Sequence, residues 1–341
     1  PIQQRSPQPM LSKNGSDSYT PQRSPQEIQK ELDTAEAQFA YAKTLFSPWY
    51  TGPLVTPSAT MIPPGYAMTQ PYIYAVDNYA SFDKNRKSHS LESSLVQLHT
   101  QPIICQIGVT DTVDTLVVFG QLMNWQHGHF GGGIQDVGTT IGFLIYRQSL
   151  YVPQFKFTIT QSYPTGKYQN LSTNGLGLNA TGAGAYTTQF ALTTSKVLFW
   201  NTHHPVNSRL FIGYALSTPV HVENFNSYGG GFGTKGVVHP GNSLTVDLGL
   251  ELSITQRWVV ATDIVYTATN RTKFNGNSGH LANGSPASVG SGYSDNLSLS
   301  PAFEYNLSEN SGFIAGLWFS VYGRNSLNFV QGVASFYIVF P

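Results

Sequence analysis

The sequence predicts an all-β protein that folds as a closed antiparallel barrel of about twelve strands. From residue 71 onward, strand-like segments carry an apolar residue at every second position, and their connections alternate between short turns and long polar loops. No run of about 20 apolar residues occurs, so a transmembrane helix is not predicted. Barrels of the bacterial outer membrane have short periplasmic turns and longer outer loops. We therefore interpret the chain as a transmembrane β-barrel of that membrane.

The composition agrees with a barrel that is apolar outside and polar inside. Charged residues make up 11% of the chain, against about 25% in soluble domains, and aromatic residues make up 13%. A secreted all-β protein is the alternative. A formal net charge of zero argues against nucleic acid as a partner. The single cysteine, Cys105, excludes an intrachain disulfide. The chain begins at Pro1, and we expect that a signal peptide has been removed.

The N-terminal part divides into two segments. Residues 1–24 are rich in Pro, Gln and Ser and are predicted to be disordered. Residues 25–70 should contain a helix to about residue 46, with Ser24 and Glu27 in a capping box and Pro25 at the first helical position. Residues 47–70 contain too many prolines for a helix or a ladder. Their apolar and aromatic content predicts a plug-like segment at the periplasmic mouth or in the lumen.

Residues 71–341 form the predicted barrel. The twelve strands are expected near residues 71–81, 89–109, 115–126, 139–148, 154–163, 186–200, 207–219, 243–254, 257–268, 294–306, 313–323 and 327–340. The clearest is Ser243–Ile254, in which six apolar residues alternate with six small or polar ones. The glycine runs 131–133 and 229–231 are predicted to be mobile loop tips. Aromatic residues near the strand ends predict two girdles at the membrane edges.

The C-terminal run Ala334–Phe340 places four apolar residues on one face and is typical of the strand that barrel-assembly machinery recognises. Three further segments carry a family resemblance: the turn Gly108–Asp114, the strand Gly138–Tyr146, and the loop entry Tyr163–Tyr168. Together they resemble outer-membrane transporter-like barrels linked to meta-pathway phenol degradation. The resemblance covers residues 100–341. It implies a monomeric barrel that moves small, often apolar, molecules.

Six ionisable residues fall on the predicted inward face and are the candidate pore lining: Lys156, Arg209, Asp247, Glu251, Asp263 and Glu304. Four acids against two bases predict a locally negative interior and a preference for cations. The alternative is a polar network that closes and stabilises the barrel, because charges in a narrow lumen must be paired or hydrated. Tyr146, Phe211 and Trp318 are the predicted inward aromatic residues that would bind an apolar solute.

No catalytic residues, cofactor or metal site are predicted. His127, His129, His203 and His204 lie in loops or turns without a nearby cluster of carboxylates or cysteines. The leading hypothesis is a non-enzymatic, porin-like channel or transporter for small solutes, apolar ones included. The partners expected are outer-membrane lipid, a small-molecule solute and the assembly machinery. A non-conducting structural or surface-interaction barrel is the alternative, and a lipid-modifying membrane enzyme is a weaker one.

Overall fold

The computed structural model describes residues 24–45 and 49–341, without the side chains of residues 42–45. The predicted disordered tail lies outside these residues, apart from Ser24. The described part contains one helix, α1 (Pro25–Leu45), and seventeen strands. The strands are β1 (Ala67–Thr69), β2 (Tyr72–Phe82), β3 (Ser88–Thr110), β4 (Val113–Gln126), β5 (His129–Ile134), β6 (Val137–Tyr146), β7 (Gln154–Tyr163), β8 (Thr187–Leu198), β9 (Val206–Ser217), β10 (Val220–Glu223), β11 (Lys235–His239), β12 (Ser243–Ser253), β13 (Trp258–Thr269), β14 (Lys273–Asn277), β15 (Ser294–Ser308), β16 (Ser311–Arg324) and β17 (Ser326–Phe340).

Twelve long strands form a closed antiparallel barrel, which confirms the predicted fold class. The order around the wall is β2, β3, β4, β6, β7, β8, β9, β12, β13, β15, β16 and β17, and β17 pairs with β2 to close the ring. Closure leaves no sheet edge along the membrane-spanning wall, which is the condition for a β-structure in lipid. The short strand β1 pairs with both β3 and β17 and extends β2 toward the periplasm.

Strand β12 shows how the wall separates its two faces. Asp247 and Glu251 are almost completely buried, whereas Leu252 on the other face is 38% exposed. Successive side chains of a strand point to opposite faces, so the acids point inward and the leucines outward. The inward positions therefore form a polar interior, and the apolar positions form the outer surface. This is the inverse of a soluble domain, and it matches a wall surrounded by lipid.

Two strands, β5 and β6, share the wall position next to β4. Strand β6 pairs with the periplasmic half of β4 and strand β5 with its outer half, and Gln135 and Asp136 lie between them. The glycine run 131–133 belongs to β5, so its prediction as a mobile tip is wrong. A Cβ at Gly131 would lie 2.5 Å from the carbonyl carbon of Leu178. Glycine is thus required there because an outer loop packs against the inner face of β5.

The long outer loops fold into an ordered cap. Strands β10, β11 and β14 form a separate three-stranded sheet that the sequence analysis does not predict. Its apolar side chains Val220, Val222 and Val238 are buried together with Ala185 from the preceding loop. A hydrogen-bonded row of amides on the inner wall reaches this cap: Asn78 to Gln97, Gln97 to Asn124, and Asn124 to the carbonyl of Leu178. The outer loop that contains Leu178 is therefore anchored in the lumen.

Helix α1 packs against the periplasmic turns. Its N-terminus carries the predicted capping box, in which Ser24 and Glu27 exchange hydrogen bonds. The Phe39 ring meets the Trp200 ring edge-on at 5.2 Å, and Glu36 accepts a hydrogen bond from the backbone amide of Leu150. Across the described residues, no helix has the length and apolarity needed to cross a membrane.

Candidate functional site

The segment after α1 crosses the inside of the barrel. Residues 49–64, called the plug below, contact inward-facing groups on strands from all around the ring: β3, β7, β12, β13, β15 and β16. Leu54 and Ala59 are 3% and 0% exposed. The prolines of this segment prevent it from joining the wall as a strand, yet its buried amides need hydrogen-bond partners. Those partners are side chains of the barrel interior.

Three of the predicted pore-lining acids hold the plug. The amide of Thr51 donates to Oε2 of Glu304 at 2.9 Å. The amides of Val55 and Thr56 donate to the two carboxyl oxygens of Asp263 at 3.2 and 3.0 Å. The Thr56 hydroxyl lies 2.8 Å from Asp247 and 2.6 Å from Asp263. The acids therefore replace the ladder partners that an irregular backbone lacks.

Glycines let the plug approach the wall closely. A Cβ at Gly249 would lie 2.6 Å from the Pro53 ring, and a Cβ at Gly108 would lie 2.1 Å from the carbonyl oxygen of Pro63. At position 312, a Cβ would lie 2.6 Å from Oγ1 of Thr51. A larger residue at Gly108 or Gly249 would displace the plug, whereas the nearest plug atom at Gly312 is the tip of the Thr51 side chain, which a substitution at position 51 removes. The position of the plug thus depends on glycines in the wall strands.

The remaining predicted pore-lining residues form buried ion pairs. Nε of Arg209 lies 2.8 Å from Oε2 of Glu251, which also accepts from the side chain of Asn207 at 2.7 Å. The plug runs beside this cluster, since a Cβ at Gly52 would lie 2.9 Å from Nη1 of Arg209. Arg209, Glu251 and Asn207 thus form one polar cluster on β9 and β12, next to the plug.

The second ion pair joins Nζ of Lys156 to Asp114 at 2.6 Å, and Gln106 donates to the same carboxyl group. Sequence reasoning missed Asp114 because it was assigned to a turn, whereas β4 already begins at Val113. All six predicted residues line the interior, and their part in permeation stays a prediction. With Asp114 included, these interior groups comprise five acids and two bases.

Two of the three predicted inward aromatic residues do face the lumen. Phe211 is 7% exposed on the same face as Arg209, and the Trp318 indole donates to Oγ of Ser298 at 2.8 Å. Tyr146 does not, and that prediction is wrong. A register shift after Leu144 turns Tyr146 to the outside, where it is 61% exposed and its ring lies 6.3 Å from that of the outward Phe155. A bulge of this kind leaves no mark on the apolar periodicity.

Sequence reasoning missed a row of stacked rings on β2 and β3. Tyr72 and Tyr74 stack at 5.5 Å, and Tyr74 stacks on His99 at 4.9 Å. The alternation of Tyr72 and Tyr74 was available as a signal, but the inward direction of β2 was not assigned. His99 also borders a luminal cavity of about 460 Å³ whose other walls include Leu122, Asp136 and Tyr228. The ring row therefore connects the plug to a cavity beneath the outer cap.

A closed β-barrel with an apolar outer face and a polar, plugged interior defines an outer-membrane β-barrel, and the protein lies in the bacterial outer membrane. No family model matches the sequence, and no curated protein matches it. Within residues 24–45 and 49–341, no group of three or more His, Cys, Asp or Glu side chains is placed to hold a metal ion.

The chain is similar to solved outer-membrane proteins. An outer membrane channel from Pseudomonas putida F1 is similar with a TM-score of 0.64 at 14% identity, over 84% of this chain and 100% of that one. The translocator domain of the autotransporter NalP from Neisseria meningitidis aligns with a TM-score of 0.42 at 9% identity, over 92% and 97% of the two chains. The NanC porin aligns with a TM-score of 0.35 at 10% identity, over 80% and 99%. At these identities, the similarity to the channel shows a shared fold.

Proposed function

We propose that the protein is a non-enzymatic outer-membrane channel for small solutes, and that the plug closes it and moves aside to open it. The observation that carries this proposal is the way in which the plug is held. Its central contacts are hydrogen bonds from amides and a hydroxyl to Asp247, Asp263 and Glu304. Water can replace each of these bonds when the plug leaves, so release does not require the wall to be rebuilt.

Apolar solutes are the class that the wall favours. The outer half of β4 and strand β5 border a second cavity of about 320 Å³ on the outside of the barrel, with Met123, Phe130 and Ile134 in its lining. Leu122 borders both this cavity and the luminal one. Within the described chain β5 pairs only with β4, and β7 ends at Tyr163 opposite Val137, so β5 lies beyond the outer end of β7. The two cavities thus meet at Leu122, and this is where we expect apolar solutes to cross between the lumen and the outer leaflet.

The resemblance of residues 100–341 to transporter-like barrels of phenol degradation supports the same solute class. The similar fold of the channel from Pseudomonas putida F1 supports passage through the lumen. Because five interior acids face two bases, we expect the open lumen to pass cations more readily than anions.

Planar-bilayer conductance tests the proposal with a reversible lock. The variant Thr51→Cys/Gly312→Cys, made in a Cys105→Ser background, places one thiol on the plug and one on β16. A Cβ at position 312 would lie 2.6 Å from Oγ1 of Thr51, so the two side chains are neighbours that oxidation should join. Oxidation should abolish channel openings and reduction should restore them, with a reversal potential that indicates cations. Deleting residues 1–65 removes the plug but keeps β1, which pairs with the wall. The shortened barrel should therefore fold and stay permanently open. The control for the oxidant is Thr51→Cys in the same Cys105→Ser background. This protein has one thiol and therefore forms no disulfide within the chain.

The alternative of a non-conducting structural barrel also has an observation in its favour. Both interior bases are engaged in buried ion pairs, Lys156 with Asp114 and Arg209 with Glu251, as expected for a network that stabilises a closed barrel. If the reduced lock variant and the deletion variant both fold and neither conducts, the channel proposal is wrong and this alternative is correct.

A further inference from the structure

One plug side chain makes a different kind of contact with the wall. Leu54 is 3% exposed and belongs to a buried apolar cluster between the plug and the wall. The wall side of this cluster, called the Leu54 pocket below, consists of Ala261, Ala302, Ile314 and Val333 with Tyr72, Tyr74 and Trp318 packed against them, and Val55 packs from the plug. The neighbouring plug residues on both sides are held by hydrogen bonds to acids, so the pocket adds an apolar attachment to a segment that is already fixed.

The pocket is formed by the wall itself. Ala261, Ala302 and Val333 come from β13, β15 and β17, and they are small or medium-sized residues at inward positions. Inward neighbours along the same strands include the polar residues Asp263, Ser300, Glu304, Gln331 and Ser335. Small side chains leave a hollow on the inner surface, and aromatic rings border it. Covering this apolar surface with water in an open lumen would cost free energy. A wall that only faced water, or only bound the plug backbone, would therefore be expected to carry polar residues here.

The pocket is also the end of a continuous strip. Tyr72, which lines it, stacks on Tyr74, and Tyr74 stacks on His99 beside the luminal cavity of about 460 Å³. Ring faces accept apolar and flat molecules without demanding hydrogen bonds. The strip therefore leads from the cavity under the outer cap to the place that Leu54 occupies.

We propose that the Leu54 pocket is a binding site for small apolar solutes, and that Leu54 blocks it as a built-in occupant until solute and plug exchange places. This inference rests on the proposed channel function and extends it. Solute and plug compete for one site, so a solute that reaches the pocket favours the released state of the plug. The observed affinity for the solute is reduced by the fraction of molecules in which the plug is released.

The test uses toluene as the probe and Trp318 as the reporter. The protein carries 5-fluorotryptophan, sits in lipid nanodiscs, and has the Thr51→Cys/Gly312→Cys lock in the Cys105→Ser background. Loss of one ¹⁹F resonance in Trp318→Phe assigns the reporter. Trp258, on the outer face beside Tyr305, reports toluene that merely dissolves in lipid. Comparing the Trp318 and Trp258 resonances thus distinguishes toluene bound in the pocket from toluene dissolved in the lipid.

With the lock reduced, toluene should shift the Trp318 resonance with saturation, and with the lock oxidised it should not. Leu54→Ala in the reduced protein should lower the apparent Kd by about tenfold or more, because no side chain has to leave. Ala302→Leu, which fills the hollow, should abolish the saturable shift, whereas the outward Ala334→Leu should leave it unchanged.

Equal saturable shifts in the oxidised and reduced proteins would overturn the inference, and so would an affinity that Leu54→Ala leaves within twofold. These readings are independent of conductance. A reduced lock variant that shows the Trp318 shift but no current refutes the channel proposal alone. A variant that conducts without any saturable shift at Trp318 refutes only the pocket.

Discussion

Replacing Asp263 with asparagine tests how the plug is held. The two carboxyl oxygens of Asp263 accept the amides of Val55 and Thr56, and the Thr56 hydroxyl lies 2.6 Å from one of them. An asparagine keeps one oxygen and turns an NH₂ group toward one of the two plug amides. At least one buried N–H then loses its partner, which costs about 1–3 kcal/mol. The barrel wall itself keeps its shape.

That cost falls on the closed state and not on the released one, where water satisfies the same groups. The ratio of released to closed plug should therefore rise by about 5- to 150-fold. Hydrogen exchange measured by mass spectrometry on the folded protein reads this ratio directly, since the amides of Val55 and Thr56 exchange only when they leave Asp263. Channel openings in a planar bilayer should become more frequent by the same factor.

Asp114→Asn is the matched control. It removes the same charge from the interior, but Asp114 bonds Lys156 and Gln106 and makes no hydrogen bond to the plug. Exchange at Val55 and Thr56 should change less than about twofold in this variant, a difference of under 0.5 kcal/mol. If Asp114→Asn accelerates plug exchange as much as Asp263→Asn does, the plug responds to the total interior charge and the contact argument is refuted.

Two further variants test the wall. Leu248→Arg places a charge on the lipid face in the middle of β12 and should cost about 2–4 kcal/mol in urea unfolding from bilayers, whereas Leu248→Ala should cost clearly less; equal costs would contradict a lipid-facing Leu248. Glu251→Ala leaves Arg209 buried without its carboxyl partner and should lower the free energy of unfolding by about 3–5 kcal/mol. Its control is Glu223→Ala, which breaks the exposed pair with Lys235 and should cost at most about 1 kcal/mol. A loss of stability as large in the control would show that burial of the pair is irrelevant.

The barrel strands could be predicted from the sequence because the membrane imposes one simple rule on each of them. A strand between lipid and lumen must alternate, and residues 243–254 follow this rule without exception. The predicted segment near 154–163 coincides with β7, and the other predicted strands differ from the observed ones by one to two residues at most ends. The alternation of short turns and long loops along the chain indicated which end of each strand lies on the periplasmic side.

The outer strands could not be predicted in the same way. Strands β10, β11 and β14 lie outside the lipid, so neither face is required to be apolar, and their pairing joins loops that are distant in sequence. Strand β5 contains three successive glycines, which carry no alternation. Tyr146 was assigned inward by counting in twos, and the register shift after Leu144 breaks that count. These errors share one cause, because each depends on contacts that periodicity does not encode.

The site was predictable in its residues but not in its contacts. Alternation alone placed Asp247, Asp263 and Glu304 on the inner face. Their partners, Thr51, Val55 and Thr56, lie roughly 190 to 250 residues away in the chain, and an irregular Pro-rich segment has no period from which an orientation can be read. The sequence therefore predicted a plug and an acidic interior as separate features, and their hydrogen bonds became visible only in the folded protein.

The two kinds of plug contact differ in what happens to them on release. The acids that bind Thr51 and Thr56 exchange plug amides for water, so this part of the interface changes little in free energy and allows the plug to move. The Leu54 pocket behaves oppositely, because water is a poor substitute for the side chain that leaves it. The Leu54 pocket therefore favours the closed state, and it does so at a place that an apolar solute can also fill. Under the proposed exchange of plug and solute, we expect the lumen to stay closed to polar solutes and to open to molecules that replace Leu54.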